Sequence, residues 1–171
     1  MNEMQPKTVM GKSIKEWIKD VPVIEDLINC KETLWQNDGV LPFSKEVKRV
    51  ALIGPFAASH QIKGFWACHA KDEETVSVEE GIRNLLPHAT VTVAEGCSPL
   101  HGTTDTSGFA DAVDAAKNAD IVILCLGEPQ NYSGEGNSRA DLGLPGVQNE
   151  LAQKVLAVNP NTAVLLFNGR P

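Results

Sequence analysis

Four short apolar runs divide the chain: RVALIG (49–54), ATVTVAEG (89–96), ADIVILCLG (119–127) and TAVLLFNG (162–169). Each is rich in β-branched residues or leucine and closes on glycine, a strand pattern with a turn at its exit. Positions 50–53, 121–126 and 163–167 are apolar throughout, which predicts strands covered on both faces, as in a parallel sheet. TVTV at 90–93 alternates instead and belongs nearer an edge.

Between the runs the period changes to that of helices. SVEEGIRNLLP (77–87) opens with Ser77 and has Glu80 three positions on. That is the spacing of a capping box, followed by an apolar stripe at Val78, Ile82 and Leu85/Leu86. SGFADAVDAAKNA (107–119) predicts a second helix from Ser107, with Phe109, Val113 and Ala116 on one face. PGVQNELAQKVLAVN (145–159) predicts a third, with Pro145 at its start and Val147, Leu151, Val155 and Val158 at helical spacing. The alternation of strand and helix predicts an α/β domain: a three-layer sandwich with a mostly parallel sheet and right-handed crossovers. In such sheets ligands sit outside the carboxyl ends of the strands. The loop leaving the third run, LGEPQNYSGEGNSRADLGLPG (126–146), is therefore the leading site candidate.

Residues before 45 have another character. GKSIKEWIKDVPVIEDLINCKETLWQ (11–36) reads as one or two amphipathic helices interrupted near Pro22, with Ile14, Trp17, Ile18, Ile24, Leu27 and Ile28 as apolar positions. NDGVLPFSKEV (37–47) then supplies a turn and linker. The expected organisation is a helical N-terminal segment over 1–37 and one α/β domain over 38–171. The last residues, LLFNGRP, stop just after a strand, so the sheet is expected to be truncated on its C-terminal side, leaving an uncovered surface prone to self-association.

Composition narrows the function classes. A 42% apolar share suffices for a core. The net charge of −7, with the 15 Lys and Arg scattered, argues against a nucleic-acid partner. No apolar run approaches the ~18 residues needed to span a bilayer, and MNEMQPKTVMGKS lacks the apolar core of a signal peptide. The chain is not expected to meet a membrane. Cys30, Cys68, Cys97 and Cys125 show no CxxC spacing, and Cys125 falls inside an apolar strand as a small hydrophobe. A reducing, cytoplasmic compartment fits. Cys68-His69 and the Cys97/His101 pair, with His60 nearby, match no zinc spacing, so no metal is expected.

The candidate loop carries two acids, Glu128 and Glu135, among glycines. Glycosyl transfer needs a carboxyl group that protonates a leaving oxygen, opposed by a second carboxylate across the sugar. Gly134 and Gly136 would let the backbone bring Glu135 close to a ligand, while Ser133 and Arg139 would bond the acid or hold the loop. The plain alternative is a polar connector whose acids do nothing. LIGPFAASHQ after the first strand superficially resembles a phosphate loop. It has neither GxGxxG nor GxxxxGK[ST], and Pro55 removes a donor. His60 and His69 are loop histidines more often inert than basic. Trp66 in KGFWACH would stack on a sugar or simply pack.

From about Asp38 to Pro171 the chain resembles the α/β-sandwich domain of glycoside hydrolase family 3, the β-glucosidase family. The landmarks are NDGVLPFS, VALIGPFA, GFW, VSVEEGIR, VTVAEGC, FADAVDAAKNADIVILCLGE, SGEGNSRADLGLPGVQNEL and NGRP, in that order. The resemblance implies a retaining hydrolase of terminal β-linked sugars with no cofactor. Its nucleophile is an aspartate on a preceding (β/α)8 barrel, and its acid/base is the glutamate of the SGE motif, here Glu135. Glu128 is implied to be structural. These residues contain no barrel, so the chain alone is expected to be inactive, with a barrel domain supplied elsewhere and a β-glucoside or oligosaccharide as substrate.

Residues 11–37 are similar instead to the N-terminal segment of D-serine ammonia-lyases, pyridoxal-phosphate enzymes, ending KETLW.N. That likeness implies a fusion, and it brings no cofactor lysine. A non-catalytic sugar-binding or structural fragment is the competing function.

Overall fold

The computed structural model describes residues 39–67 and 69–169, together with the backbone of residues 8–9 and 12–13. The chain divides into two units, 1–45 and 46–171. In the first, β1 (Thr8–Val9) pairs antiparallel with β2 (Lys12–Ser13). The helices expected over 11–36, and with them most of the lyase-like segment, fall on 14–38, outside the described residues.

The second unit is an α/β fold. Its strands are β3 (Arg49–Ile53), β4 (Thr90–Ala94), β5 (Ile121–Gly127) and β6 (Thr162–Phe167). They form one four-stranded, all-parallel sheet in the order β4-β3-β5-β6. The fully apolar β5 lies inside the sheet and is buried along its whole length. The alternating TVTV strand lies at an edge, as its pattern predicts.

Helices α1 (Val78–Leu85), α2 (Phe109–Lys117) and α3 (Gln148–Val158) connect these strands. One core cluster joins Ala51 and Ile53 of β3 and Val122, Leu124 and Leu126 of β5 to Phe109, Ala112 and Ala116 of α2 and Leu151 and Val155 of α3. Helix α1 contributes nothing to that cluster and buries Val78 and Ile82 separately. Strand alternation explains the division, since successive side chains point to opposite faces.

Two helix starts differ from expectation. Helix α2 is capped by Gly108 rather than Ser107, and Gly108 lies so close to the Gly96 backbone that a Cβ would clash there. Helix α3 begins at Gln148, because Gly146 adopts φ +62° and breaks the helical path after Pro145. The capping box of α1 is as predicted: the Glu80 N–H donates to Ser77 Oγ (3.2 Å), and the Ser77 N–H donates to Glu80 Oε2 (2.9 Å).

Strand order creates the site. The chain steps from β3 outward to β4, then back across to β5, so direction reverses between β3 and β5. In an open parallel sheet that reversal leaves a crevice at the carboxyl ends of the two strands. The loops 54–76 and 128–147 both start there.

Candidate functional site

Strand β3 ends before its neighbour. At Gly54 (φ +118°) the backbone turns away over Cys125, whose carbonyl oxygen would overlap any Cβ at this position. The Phe56 N–H then donates to that oxygen at 3.3 Å, the last link from this segment to β5. Gly127, two residues further along β5, points its N–H and C=O the same way, where β3 no longer runs, while β6 flanks its other side at Phe167. A side-chain amide takes the place of β3 there. Gly127 N–H donates to Gln148 Oε1 (2.9 Å), and Gln148 Nε2 donates to the carbonyls of Gly127 (2.8 Å) and Pro145 (3.0 Å). Gln148 is fully buried, so one side chain clips together both ends of the loop 128–147.

Within the loop, Arg139 Nη1 donates to Glu128 Oε1 at 2.6 Å and Arg139 Nη2 to the Gly143 carbonyl at 2.8 Å. The two side chains are only 9% and 14% exposed. Glu135 is exposed and, among the described residues, takes part in no hydrogen bond or ion pair. Gly134 (φ +97°) and Gly136 (φ +80°) bracket it in conformations that favour glycine. Gly134 also lies against the Phe65 ring, which a Cβ would strike.

Neighbouring loops converge on this segment. From the loop after β3 come Phe65 and Trp66, an edge-to-face pair with centroids 5.4 Å apart, and Trp66 is 63% exposed. From the loop after β4, the His101 N–H donates to the Tyr132 hydroxyl at 2.9 Å. After β6, Gly169 packs on Ser133. A cleft of about 230 Å³ lies between the loops after β3 and β5 and the end of β6, lined by Gln61, Glu128, Gln130, Ser133 and Asn168, among others. A larger groove of about 440 Å³ opens at the amino ends of β3 and β4, beside Arg49, Thr90, Asp111 and Asp114. It contains neither acid of the candidate loop.

The other candidates separate from this group. Arg139 holds the loop and bonds Glu128, while Ser133 Oγ reaches only the Gln130 carbonyl, at 3.4 Å. His60 Nδ1 donates to the Thr75 carbonyl (3.0 Å), with Nε2 3.6 Å from Glu80. His69 is exposed, and Cys68 lies outside the described residues. Burial pushes the Cys97 thiol up to about 11 and the Cys125 thiol to about 12, so neither is a thiolate at neutral pH. Among the described residues no group of three His, Cys, Asp or Glu side chains is placed to hold a metal ion, and no helix is long and apolar enough to cross a membrane. Sequence reasoning missed Gln148, which it placed merely in a helix. Its signal was a glutamine two positions after PG, on the buried side of an amphipathic pattern.

Several characterised proteins are similar to this chain. A β-xylosidase from Formosa agariphila is 33% identical over 147 residues, covering 81% of this chain and 20% of its own length. An exo-α-(1→6)-L-arabinopyranosidase from Bifidobacterium longum is 28% identical over 188 residues, covering 99% and 24%. The structure of a β-glucosidase from Listeria innocua in complex with isofagomine superposes with a TM-score of 0.71 at 34% identity, covering 81% of this chain and 18% of that one. The chain thus spans about a fifth of the length of the relatives it matches. Residues 33–171 match the family described as the glycosyl hydrolase family 3 C-terminal domain, and the chain belongs to that family.

Proposed function

We propose that this chain supplies the general acid/base, Glu135, to a retaining glycosidase centre whose nucleophile stands on a (β/α)8 barrel outside these residues. The observation that carries the reading is the placement of Glu135: exposed, free of partners among the described residues, and bracketed by two positive-φ glycines on the loop leaving β5 at the switch point. Glu135 would protonate the departing glycosidic oxygen, then deprotonate the water that attacks the glycosyl-enzyme. Glu128, paired with Arg139, is committed to the loop. The substrate class is a terminal β-linked sugar of the glucose or xylose type. The α/β domain begins near Asp38, and the proposed compartment is the cytoplasm, on the cysteine spacing.

The chain alone is inactive in this reading, because proximity of both carboxylates to an enclosed sugar supplies much of the catalysis. The test combines the chain with a family 3 barrel and compares β-glucosides with poor (alkyl) and good (dinitrophenyl) leaving groups. Glu135→Gln should lower kcat on the alkyl glucoside by about 10²–10⁴-fold and affect the dinitrophenyl glucoside far less in the glycosylation step. Equal activity of wild type and variant on both substrates rejects the assignment. Robust turnover by the chain alone rejects the need for a barrel.

Trp66 favours a second reading, sugar binding without catalysis, since an exposed indole held edge-to-face by Phe65 offers a stacking surface. Saturable quenching by millimolar glucose or cellobiose that vanishes in Trp66→Phe supports it. The exposed apolar side of β6 is proposed to drive self-association.

A further inference from the structure

The loop that carries Glu135 is fastened at two levels. Gln148 clips its ends at the base. Higher up, the Arg139 guanidinium forks, one arm to the Glu128 carboxylate beside the strand end and the other to the Gly143 carbonyl on the return. The fork closes the segment 128–139 on itself, with Glu135 inside it.

Other contacts hold the first half of that segment: the Tyr132 N–H donates to the Pro129 carbonyl (2.9 Å), the Tyr132 hydroxyl accepts from the His101 N–H (2.9 Å), and Phe65 lies against Gly134. Around the acid itself the bonds are Asn137 N–H to the Gly134 carbonyl (3.2 Å), Asn137 Nδ2 to the Ser133 carbonyl (3.1 Å) and the long Ser133–Gln130 contact. Gly134 and Gly136 supply backbone freedom on either side of the acid. With Arg139 removed, Glu128 would lose a charge-assisted bond at a largely buried site, and the Gly143 carbonyl would lose its donor on the loop's return. A lysine cannot replace the fork, since its point charge does not span a carboxylate and a carbonyl in fixed planar geometry.

We propose that Arg139 is a positioning residue: through Glu128 and the Gly143 carbonyl it sets the place of the Glu135 carboxylate. The proposal rests on the acid/base reading of Glu135. A side chain that touches no substrate thereby governs how well the acid meets the leaving oxygen, where misplacement by about 1 Å can cost on the order of 10²-fold in rate.

The test measures backbone order in the ¹⁵N-labelled 171-residue chain at Gly134, Glu135 and Gly136. In wild type the order parameters should approach the rigid value of about 0.85, and in Arg139→Met fall below about 0.6, with the β5 amides unchanged. Arg139→Lys, which keeps the charge and one bond, should fall between, and it decides the matter if the methionine variant does not fold. Glu128→Gln combined with Arg139→Met should loosen the loop no further than Arg139→Met alone. In the assembly with a barrel, Arg139→Lys should lower kcat on the alkyl glucoside about tenfold at unchanged KM and spare the dinitrophenyl glucoside, a split that simple destabilisation does not produce. A loop equally ordered in wild type and both Arg139 variants overturns the positioning role. A loop that loosens while Glu135→Gln retains full turnover overturns the acid/base reading instead.

Discussion

Gln148 and Gly127 exchange two hydrogen bonds, at 2.9 and 2.8 Å, so that a side-chain amide completes a strand edge that β3 has abandoned. The amide group is chemically the peptide group that the missing partner would have presented. It serves at the one place in the sheet where the crevice requires the neighbouring strand to leave.

Gln148→Leu keeps the volume and removes both partners of Gly127, leaving a buried N–H and C=O without replacement. Each orphaned group costs about 1–3 kcal/mol, so the variant should lose about 3 kcal/mol or more in urea unfolding. A loss below about 0.5 kcal/mol would mean that water or a shifted backbone takes over the amide's role.

Glycines on the same rim should differ sharply in tolerance. Gly54→Ala forces a Cβ into the Cys125 carbonyl, and Gly127→Ala drives one into the Phe167 carbonyl. Gly136 also has positive φ, yet a Cβ there meets nothing within 4 Å. Thermal melts should show about 1–2 kcal/mol of strain for Gly136→Ala, and a clearly larger loss or failure to fold for the other two. Comparable melts for all three variants would refute the close-packed exit of β3 and β5.

Acid sensitivity should track Asp120. Its carboxylate accepts from the Arg49 side chain at 2.6 and 3.0 Å and from the Arg49 and Lys48 N–H groups at 2.9 and 3.2 Å. The Arg49 side-chain bond is the leading cause that holds its pKa below the ordinary 3.8. A depressed folded-state value means that this stabilisation is present above the ordinary carboxylate range and is lost as pH falls through the depressed value. Wild-type Tm should therefore drop more steeply than that of Asp120→Asn between pH about 4 and 2. Parallel curves would remove Asp120 from the acid limb.

Strand β6 keeps Val164 47% and Leu166 57% exposed. Their register partners Leu124 and Leu126 belong to the core on the α2/α3 face, so the two side chains extend that face beyond its cover. Sedimentation of the wild-type chain should show concentration-dependent association that Val164→Thr with Leu166→Lys abolishes. A monomer at about 100 μM would contradict the proposed self-association, since an exposed apolar edge of this kind favours pairing at such concentrations.

Much of the fold was legible because its causes are local. Ser77 and Glu80 are three residues apart, and their reciprocal bonds depend on nothing but that spacing. The unbroken apolar run of β5 is buried inside the sheet, and the alternation at 90–93 lies at an edge. The equally apolar run 163–167, expected to be covered on both faces, instead forms the other edge, with Val164 and Leu166 exposed. The candidate loop followed from the same logic, since a parallel sheet places its loops at the carboxyl ends. Helix starts were harder. Ser107 and Pro145 are good local signals, but the close approach of Gly108 to Gly96 and the positive φ of Gly146 moved both boundaries inward.

The polar partners were decided elsewhere. By itself the chain determined which residues form strands and helices and which loop carries the acids, because periodicity and capping act between neighbours. Tertiary structure alone decided that Arg139 holds Glu128, and that Gln148, on the buried side of α3, completes Gly127. A buried donor pairs with whichever acceptor the fold leaves unsatisfied nearby, and that depends on where each strand ends relative to its neighbour.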